Sequence, residues 1–268
     1  MKIICFFGLK GGVGKTSLAA AVATAAQEAG FSTAVLDLDG SGTGLDAYVA
    51  RRRAAGLPAP ISITPPSRSF LNAANSRRAT EEMDHAVDQA SLAGADCLII
   101  DTSSGRDALW MNAAAILASS VLVTPVTDSP LDLHMLLGGA AAQSVADFVE
   151  AAAGYRGRQN LRWIVVRNRR GHLHTKLGDR IGAELVDAAE RIGFELVEGL
   201  RERVTYREMF EDGRSPLDAP RSNLPLGMSV LSARAEMRVL LSTLQLNRPA
   251  TPAWLTAARK VKADTDAA

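Results

Sequence analysis

The heptapeptide Lys10-Gly11-Gly12-Val13-Gly14-Lys15-Thr16 leaves few folds open to this chain. It follows the apolar run Ile3-Ile4-Cys5-Phe6-Phe7, which reads as a buried strand. It precedes a stretch over 16–29 that reads as a helix closed by Gly30. Strand, glycine loop, Gly-Lys-Thr and helix together specify a phosphate-binding loop. Glycines let the backbone curl around a polyphosphate with its N–H groups inward. The helix that starts there aims the positive end of its dipole at the same anion. Gly11, Gly12, Val13, Gly14, Lys15, Thr16 and Ser17 are the expected contacts. Lys15 can reach the β- and γ-phosphates, and the Thr16 hydroxyl can bind Mg²⁺. The G-x-G-x-x-G spacing of a dinucleotide-binding turn is absent.

The strict pattern has glycine six residues before the lysine, where this chain has Leu9. Lys10 instead stands directly before two glycines. In this form the loop resembles the deviant Walker A loop of the ParA/MinD family of ATPases. The resemblance implies ATP and ADP as ligands, Mg²⁺ as cofactor, weak ATPase activity and a homodimer in the ATP state. It also implies that Lys10 reaches across the dimer to the other subunit's phosphates while Lys15 serves its own nucleotide.

Two acidic motifs extend the resemblance. The run Thr33-Ala34-Val35-Leu36 reads as a second strand and ends in Asp37-Leu38-Asp39. Carboxylates at the end of a parallel strand face the ligand crevice. In the family this is switch I, which implies that Asp37 orders the Mg²⁺ shell and Asp39 orients the attacking water. Lys10, Lys15 and Asp39 are thus the implied catalytic set. Gly40-Ser41-Gly42 follows, where the family often has a polar residue, and glycines predict a mobile loop. Cys97-Leu98-Ile99-Ile100-Asp101 reads as a Walker B strand, with Asp101 polarising a water on Mg²⁺. Thr16, Asp37 and Asp101 make up the expected metal site. Ser103 stands where the family's switch II has proline.

Composition bounds what else the chain can be. Its 268 residues allow one large domain or two small ones, and its 47% apolar content is normal for a packed α/β core. A net charge of +1 means that any nucleic-acid surface must be a local patch. Cys5 and Cys97 sit in apolar runs and form no C-x-x-C pair, so they read as core residues. No signal peptide or spanning segment is evident, and the chain reads as cytoplasmic.

Further along, 45–55 predicts a short helix whose Arg51, Arg52 and Arg53 read as largely solvated. An edge strand is expected over 61–64, a charged helix over 71–90, a strand over 121–125 and one long helix over 131–153. Another strand, 161–166, runs into Arg167-Asn168-Arg169-Arg170. The resemblance places an adenine-reading asparagine there, which is Asn168. His172 and His174 read as surface residues without a metal. Helices over 175–191, 206–211 and 228–244 and a strand over 194–197 complete the pattern. Alternating strands and helices predict a single domain with a mostly parallel, doubly wound sheet over 1–246, followed by a tail over 247–268.

From Trp163 onward several segments resemble the MipZ branch of the family. They are Val-Val-Arg-Asn-Arg, Arg-Ile-Gly-Phe, Gly-Leu-Arg-Glu-Arg-Val-x-Tyr-Arg-Glu-Met-Phe and Leu-Ser-Ala-Arg-x-Glu-Met-Arg. That branch positions the division plane, which implies non-specific binding to nucleoid DNA and partners like ParB and FtsZ. Lys176 and Arg180, four apart on one helix face, match the family's DNA-contacting positions. Arg169, Arg170, Arg201 and Arg203 are candidate neighbours. Two other functions are open on this fold. One is a MinD-like membrane cycle; the tail's apolar face, with Trp254 and Leu255, is thin for that role. The other is a metabolic enzyme such as a dethiobiotin-synthetase-like ligase. Tyr48, Tyr155 and Tyr206 form no terminal cluster of a tyrosine kinase.

Overall fold

A computed structural model describes residues 1–40, 42–63, 76–104, 108–138, 143–155, 161–171, 175–221 and 227–246. Among these, seven strands form one sheet: β1 (Lys2–Phe6), β2 (Thr33–Asp37), β3 (Ile61–Ser62), β4 (Cys97–Asp101), β5 (Val121–Val126), β6 (Arg162–Arg167) and β7 (Glu195–Glu198). Every pairing is parallel, in the order β3-β2-β4-β1-β5-β6-β7. The chain is a single α/β domain, as its alternating pattern predicts.

The helices are α1 (Lys15–Glu28), α2 (Leu45–Ala54), α3 (Ser76–Leu92), α4 (Leu109–Ala118), α5 (Pro130–Leu137), α6 (Val145–Tyr155), α7 (Lys176–Ile192), α8 (Val204–Glu211) and α9 (Met228–Thr243). They cover both faces of the sheet. Alternate strand residues divide between two cores, as the period of two requires. Ile4, Phe6, Val35, Ile99, Val123 and Ile164 pack with α1, α2 and α9. Cys5, Phe7, Leu36, Ile100, Leu122 and Val165 pack with α3 to α7. Both cysteines are buried free thiols, and burial pushes the Cys5 thiol up.

Several elements depart from expectation. The long helix over 131–153 is two helices. α5 stops at Gly138, which has φ 80°, and α6 starts afresh behind Ser144. Ser144 and Asp147 form a reciprocal cap: Ser144 N–H donates to Asp147 Oδ2 at 2.7 Å, and Asp147 N–H donates to Ser144 Oγ at 3.2 Å. α4 is an additional helix. Arg52 is not solvated: it is 1% exposed and binds Asp218 through two bonds of 2.6 and 3.0 Å. Its guanidinium also donates to the carbonyls of Pro58 and Gly213, tying α2 to the turn after α8. Arg53 is exposed as expected. Part of the expected 71–90 helix, His172, His174 and the whole 247–268 tail lie outside the described residues. No helix among the described residues is long and apolar enough to cross a membrane.

Candidate functional site

The strand order brings three carboxyl ends together. β4 lies between β1 and β2, and the register aligns Asp101 with Phe6 on one side and Asp37 on the other. The loop after β1 and the acids after β2 and β4 therefore meet at one edge. A crevice of about 460 Å³ opens there, lined by Gly12, Gly14, Lys15, Thr16, Asp39 and Asn168, among others.

The glycine loop runs straight into α1, whose first turn carries Lys15 and Thr16. Gly14 caps the helix with φ 95°, and a Cβ there would lie 2.4 Å from Asn168 Nδ2. Only glycine meets both demands. Lys15 is 5% exposed. Its ammonium donates to Ser104 Oγ at 2.6 Å and to the Lys10 carbonyl at 3.1 Å. Burial lowers its pKa, and the Asp101 and Asp39 carboxylates oppose that shift.

Asp37 is buried and accepts the backbone N–H of Asp39 at 2.9 Å and of Asp46 at 3.1 Å. It thereby fixes the turn that carries Asp39 and the start of α2. Asp101 differs. It is fully buried, and neither carboxylate oxygen makes a well-formed hydrogen bond, although the Thr16 hydroxyl is close to it. Burial, the largest cause, pushes its pKa up to about 7; Asp37 and Asp39 add to this, while the Thr16 hydroxyl and Lys15 oppose it. A buried, unpaired carboxylate beside a threonine hydroxyl fits a divalent cation. Among the described residues no cluster of three His, Cys, Asp or Glu could hold a metal. The Asp101 carboxylate with the Thr16 hydroxyl suits Mg²⁺, which takes one or two protein ligands and completes its shell with phosphates and water. Thr16 would hold it, with Asp101 and Asp37 behind.

This carboxylate yields a prediction about stability. Between about pH 3.8 and 7 the unfolded chain has an ionised Asp101 while the folded chain retains the proton. Stability therefore falls as pH rises through that window and levels off above it. A shift of this size bounds the cost at about 4 kcal/mol. Asp101→Asn removes it. Without ligand at pH 8 the variant should melt several degrees above the parent, and the gap should close toward pH 4. Equal melting temperatures at pH 8 would refute the buried-charge account.

Of the remaining predicted residues, Ser17, Asn168, Arg169, Arg201 and Arg203 line the same crevice, while Lys10, Arg170, Lys176 and Arg180 do not. Lys10 is turned from the crevice and forms an ion pair with Asp132 of α5. Asp132 is also held by Thr127, through its N–H at 2.9 Å and its hydroxyl at 2.6 Å. Asn168 donates to the Val13 carbonyl at 3.0 Å and accepts Leu200 N–H at 3.1 Å. One amide hydrogen and one lone pair remain for a base. Gly11 and Ser17 are exposed, and Val13 is buried.

The basic candidates divide in two. Lys176 and Arg180 lie on the first turns of α7, both exposed, with Arg180 3.4 Å from Glu184. Arg201 is also exposed. Among the described residues Lys176 and Arg201 have no ion-pair partner. Arg169, Arg170 and Arg203 are matched to Glu202, Glu198 and Glu236 respectively. Sequence reading missed Ser104, Asp132 and Glu202. No local pattern marks them, since each meets its partner from a distant part of the chain.

Comparison with known proteins agrees with this fold. No curated protein matches the chain. Among solved structures, McdA from Cyanothece matches as the apo protein at 16% identity, TM-score 0.61, over 89% of this chain and 99% of that one. An ATP complex of a McdA variant from the same source matches at 15% identity, TM-score 0.67, over 94% and 99%. The MinD cell division protein of Aquifex aeolicus matches at 15% identity, TM-score 0.54, over 90% and 98%. These likenesses establish the fold. Residues 2–248 match the family described as ATPase MipZ, and the chain belongs to that family.

Proposed function

We propose that this chain is an ATP-driven switch. ATP joins two copies, the dimer holds DNA without regard to sequence, and slow hydrolysis releases it. The cycle would position the division site or another cargo. Partners like ParB and FtsZ fit this reading, as does a place on the nucleoid within the cytoplasm. The observation that carries it is the crevice lined by Lys15, Thr16 and Asp39 at the glycine loop, with the buried Asp101 carboxylate beside Thr16 and Lys15.

Each residue has a task the geometry supports. Loop N–H groups and Lys15 hold the phosphates and stabilise charge on the transferring group. Asp39, fixed by the Asp37 turn, positions the attacking water. Mg²⁺, held by Thr16 and backed by Asp101 and Asp37, would neutralise phosphate charge. Asn168 can offer its remaining amide groups to adenine. Lys10 would serve the second subunit's nucleotide after leaving Asp132.

DNA contact is assigned first to Lys176 and Arg201, which have no ion-pair partner among the described residues, and to Arg180, whose pair with Glu184 is solvent-exposed. Arg169, Arg170 and Arg203 are already compensated by glutamates and contribute less net field. α7 also carries Asp179, Glu184, Asp187 and Glu190, so one copy makes a weak patch. Two copies double it, which lets ATP gate DNA binding.

The test couples gel filtration to DNA retention with ADP, ATP and a non-hydrolysable analogue. Dimer and DNA complex are expected with ATP and the analogue only. Affinity should fall steeply with salt and vary little among unrelated duplexes. Replacing Lys176 and Arg180 together by alanine should flatten the salt slope by about one unit per lost phosphate contact. The ATP dimer should persist. An unchanged slope would move the surface toward Arg201. Strong DNA binding with ADP would overturn the switch.

A further inference from the structure

Arg169 occupies a conformation that a non-glycine residue rarely takes. Its φ is 54°, shared among the described residues only by Gln245. Backbone held in the left-handed region marks a place where surrounding structure dictates the geometry. Here the surroundings are explicit. Arg169 N–H donates to the Leu200 carbonyl at 2.8 Å, and Glu202 N–H donates to the Arg170 carbonyl at 3.0 Å. Arg170 and Arg201 pair as a parallel bridge beyond the ends of β6 and β7.

This backbone aims the side chain at the glycine loop. Arg169 Nη1 donates to the Gly12 carbonyl at 2.6 Å, and Nη2 donates to Glu202 Oε1 at 2.8 Å. The adjacent Asn168 donates to the next carbonyl, that of Val13, at 3.0 Å. Two consecutive side chains thus hold two consecutive loop carbonyls. In a planar trans peptide the carbonyl and the following N–H point in opposite directions. Fixing the Gly12 and Val13 carbonyls therefore fixes the N–H groups of Val13 and Gly14.

We propose that Arg169 is a positioning residue for polyphosphate binding. Through the Gly12 carbonyl it holds the Val13 N–H in the direction a phosphate oxygen needs. Glu202 braces the guanidinium from the other side, with Arg207 Nη2 3.9 Å from the same carboxylate oxygen. Asn168 does the same for the Gly14 N–H. The guanidinium serves the loop rather than DNA. This inference rests on the nucleotide-switch reading.

Arg169→Gly separates this role from a structural one. Glycine relieves the left-handed backbone and removes the guanidinium. The ligand-free variant should melt at or above the parent's temperature. Its ADP and ATP affinities by calorimetry should both fall about tenfold, the loss of one charge-assisted bond. Arg169→Lys, which keeps one donor for the Gly12 carbonyl, should recover part of the affinity. Arg169→Asn, tolerant of the same φ but too short to reach, should match the glycine variant and serves if that one is not obtained folded. ADP affinity equal to the parent's in Arg169→Gly or Arg169→Asn overturns the proposal, whether or not DNA retention falls. A lysine variant as weak as the glycine variant overturns it as well. A parent protein that binds neither ADP nor ATP overturns the switch reading and this inference together.

Discussion

Asp39→Ala is expected to lower the hydrolysis rate by about 10²- to 10⁴-fold while leaving ATP affinity within about threefold. The difference follows from where the residue sits. Asp39 lines the crevice opposite the glycine loop but contributes nothing to the loop's fold. Its backbone N–H is held by Asp37 Oδ1 at 2.9 Å, so the turn survives removal of its side chain. Its charge is felt by both Lys15 and Asp101, the residues proposed to serve phosphate and metal. Removing a negative charge there also weakens repulsion of the γ-phosphate. The variant should therefore accumulate as an ATP-bound dimer. Phosphate release and gel filtration on the same sample decide the matter. Wild-type phosphate release would remove Asp39 from the catalytic set.

The sheet was legible because its strands are short apolar runs that end in chemistry. Ile3 to Phe7 leads to the glycine loop, and the Asp37 and Asp101 strands end in acids. Once a parallel order is assumed, those ends can only meet at one edge. What was not legible depends on contacts across long stretches of chain. Asp132 reaches Lys10 over 122 positions, Asp218 reaches Arg52 over 166, and Ser104 reaches Lys15 over 89. Local periodicity carries no information about such partners. Three adjacent arginines look solvated until one of them is needed to neutralise a distant aspartate. Compensation was hidden for the same reason. The sequence places Arg169, Arg170 and Arg203 in a basic region, but Glu202, Glu198 and Glu236 are brought to them only by the fold. The sequence carries a helix-breaking pair, Gly138-Gly139, after the last turn of α5, but apolar residues at helical spacing continue on either side of it.

Lys15 and Lys10 should separate by role, and the structure sharpens the contrast. Lys15→Ala is expected to weaken ATP and ADP about 10- to 150-fold, the range for a lost charge-assisted contact. Its ammonium is nearly buried and now rests on Ser104 and the Lys10 carbonyl. Both are neutral acceptors, so a phosphate displaces them at small cost. Lys10→Ala should bind nucleotide within about threefold of wild type, because its side chain faces Asp132 and not its own crevice. It should nevertheless remain monomeric with ATP. In the proposed dimer the Lys10 ammonium would exchange one carboxylate for the other subunit's phosphates, and the Asp132 pair opposes that exchange. Asp132 has 1% of its side chain exposed, so the pair is screened little by salt. Asp132→Asn keeps an oxygen for the Thr127 donors and removes the competing charge. That variant should dimerise at lower ATP concentration than the parent. Sedimentation across an ATP series measures all three. If Lys10→Ala dimerises with ATP, the cross-subunit role fails. If Asp132→Asn needs as much ATP as the parent, the ion pair is not what restrains Lys10.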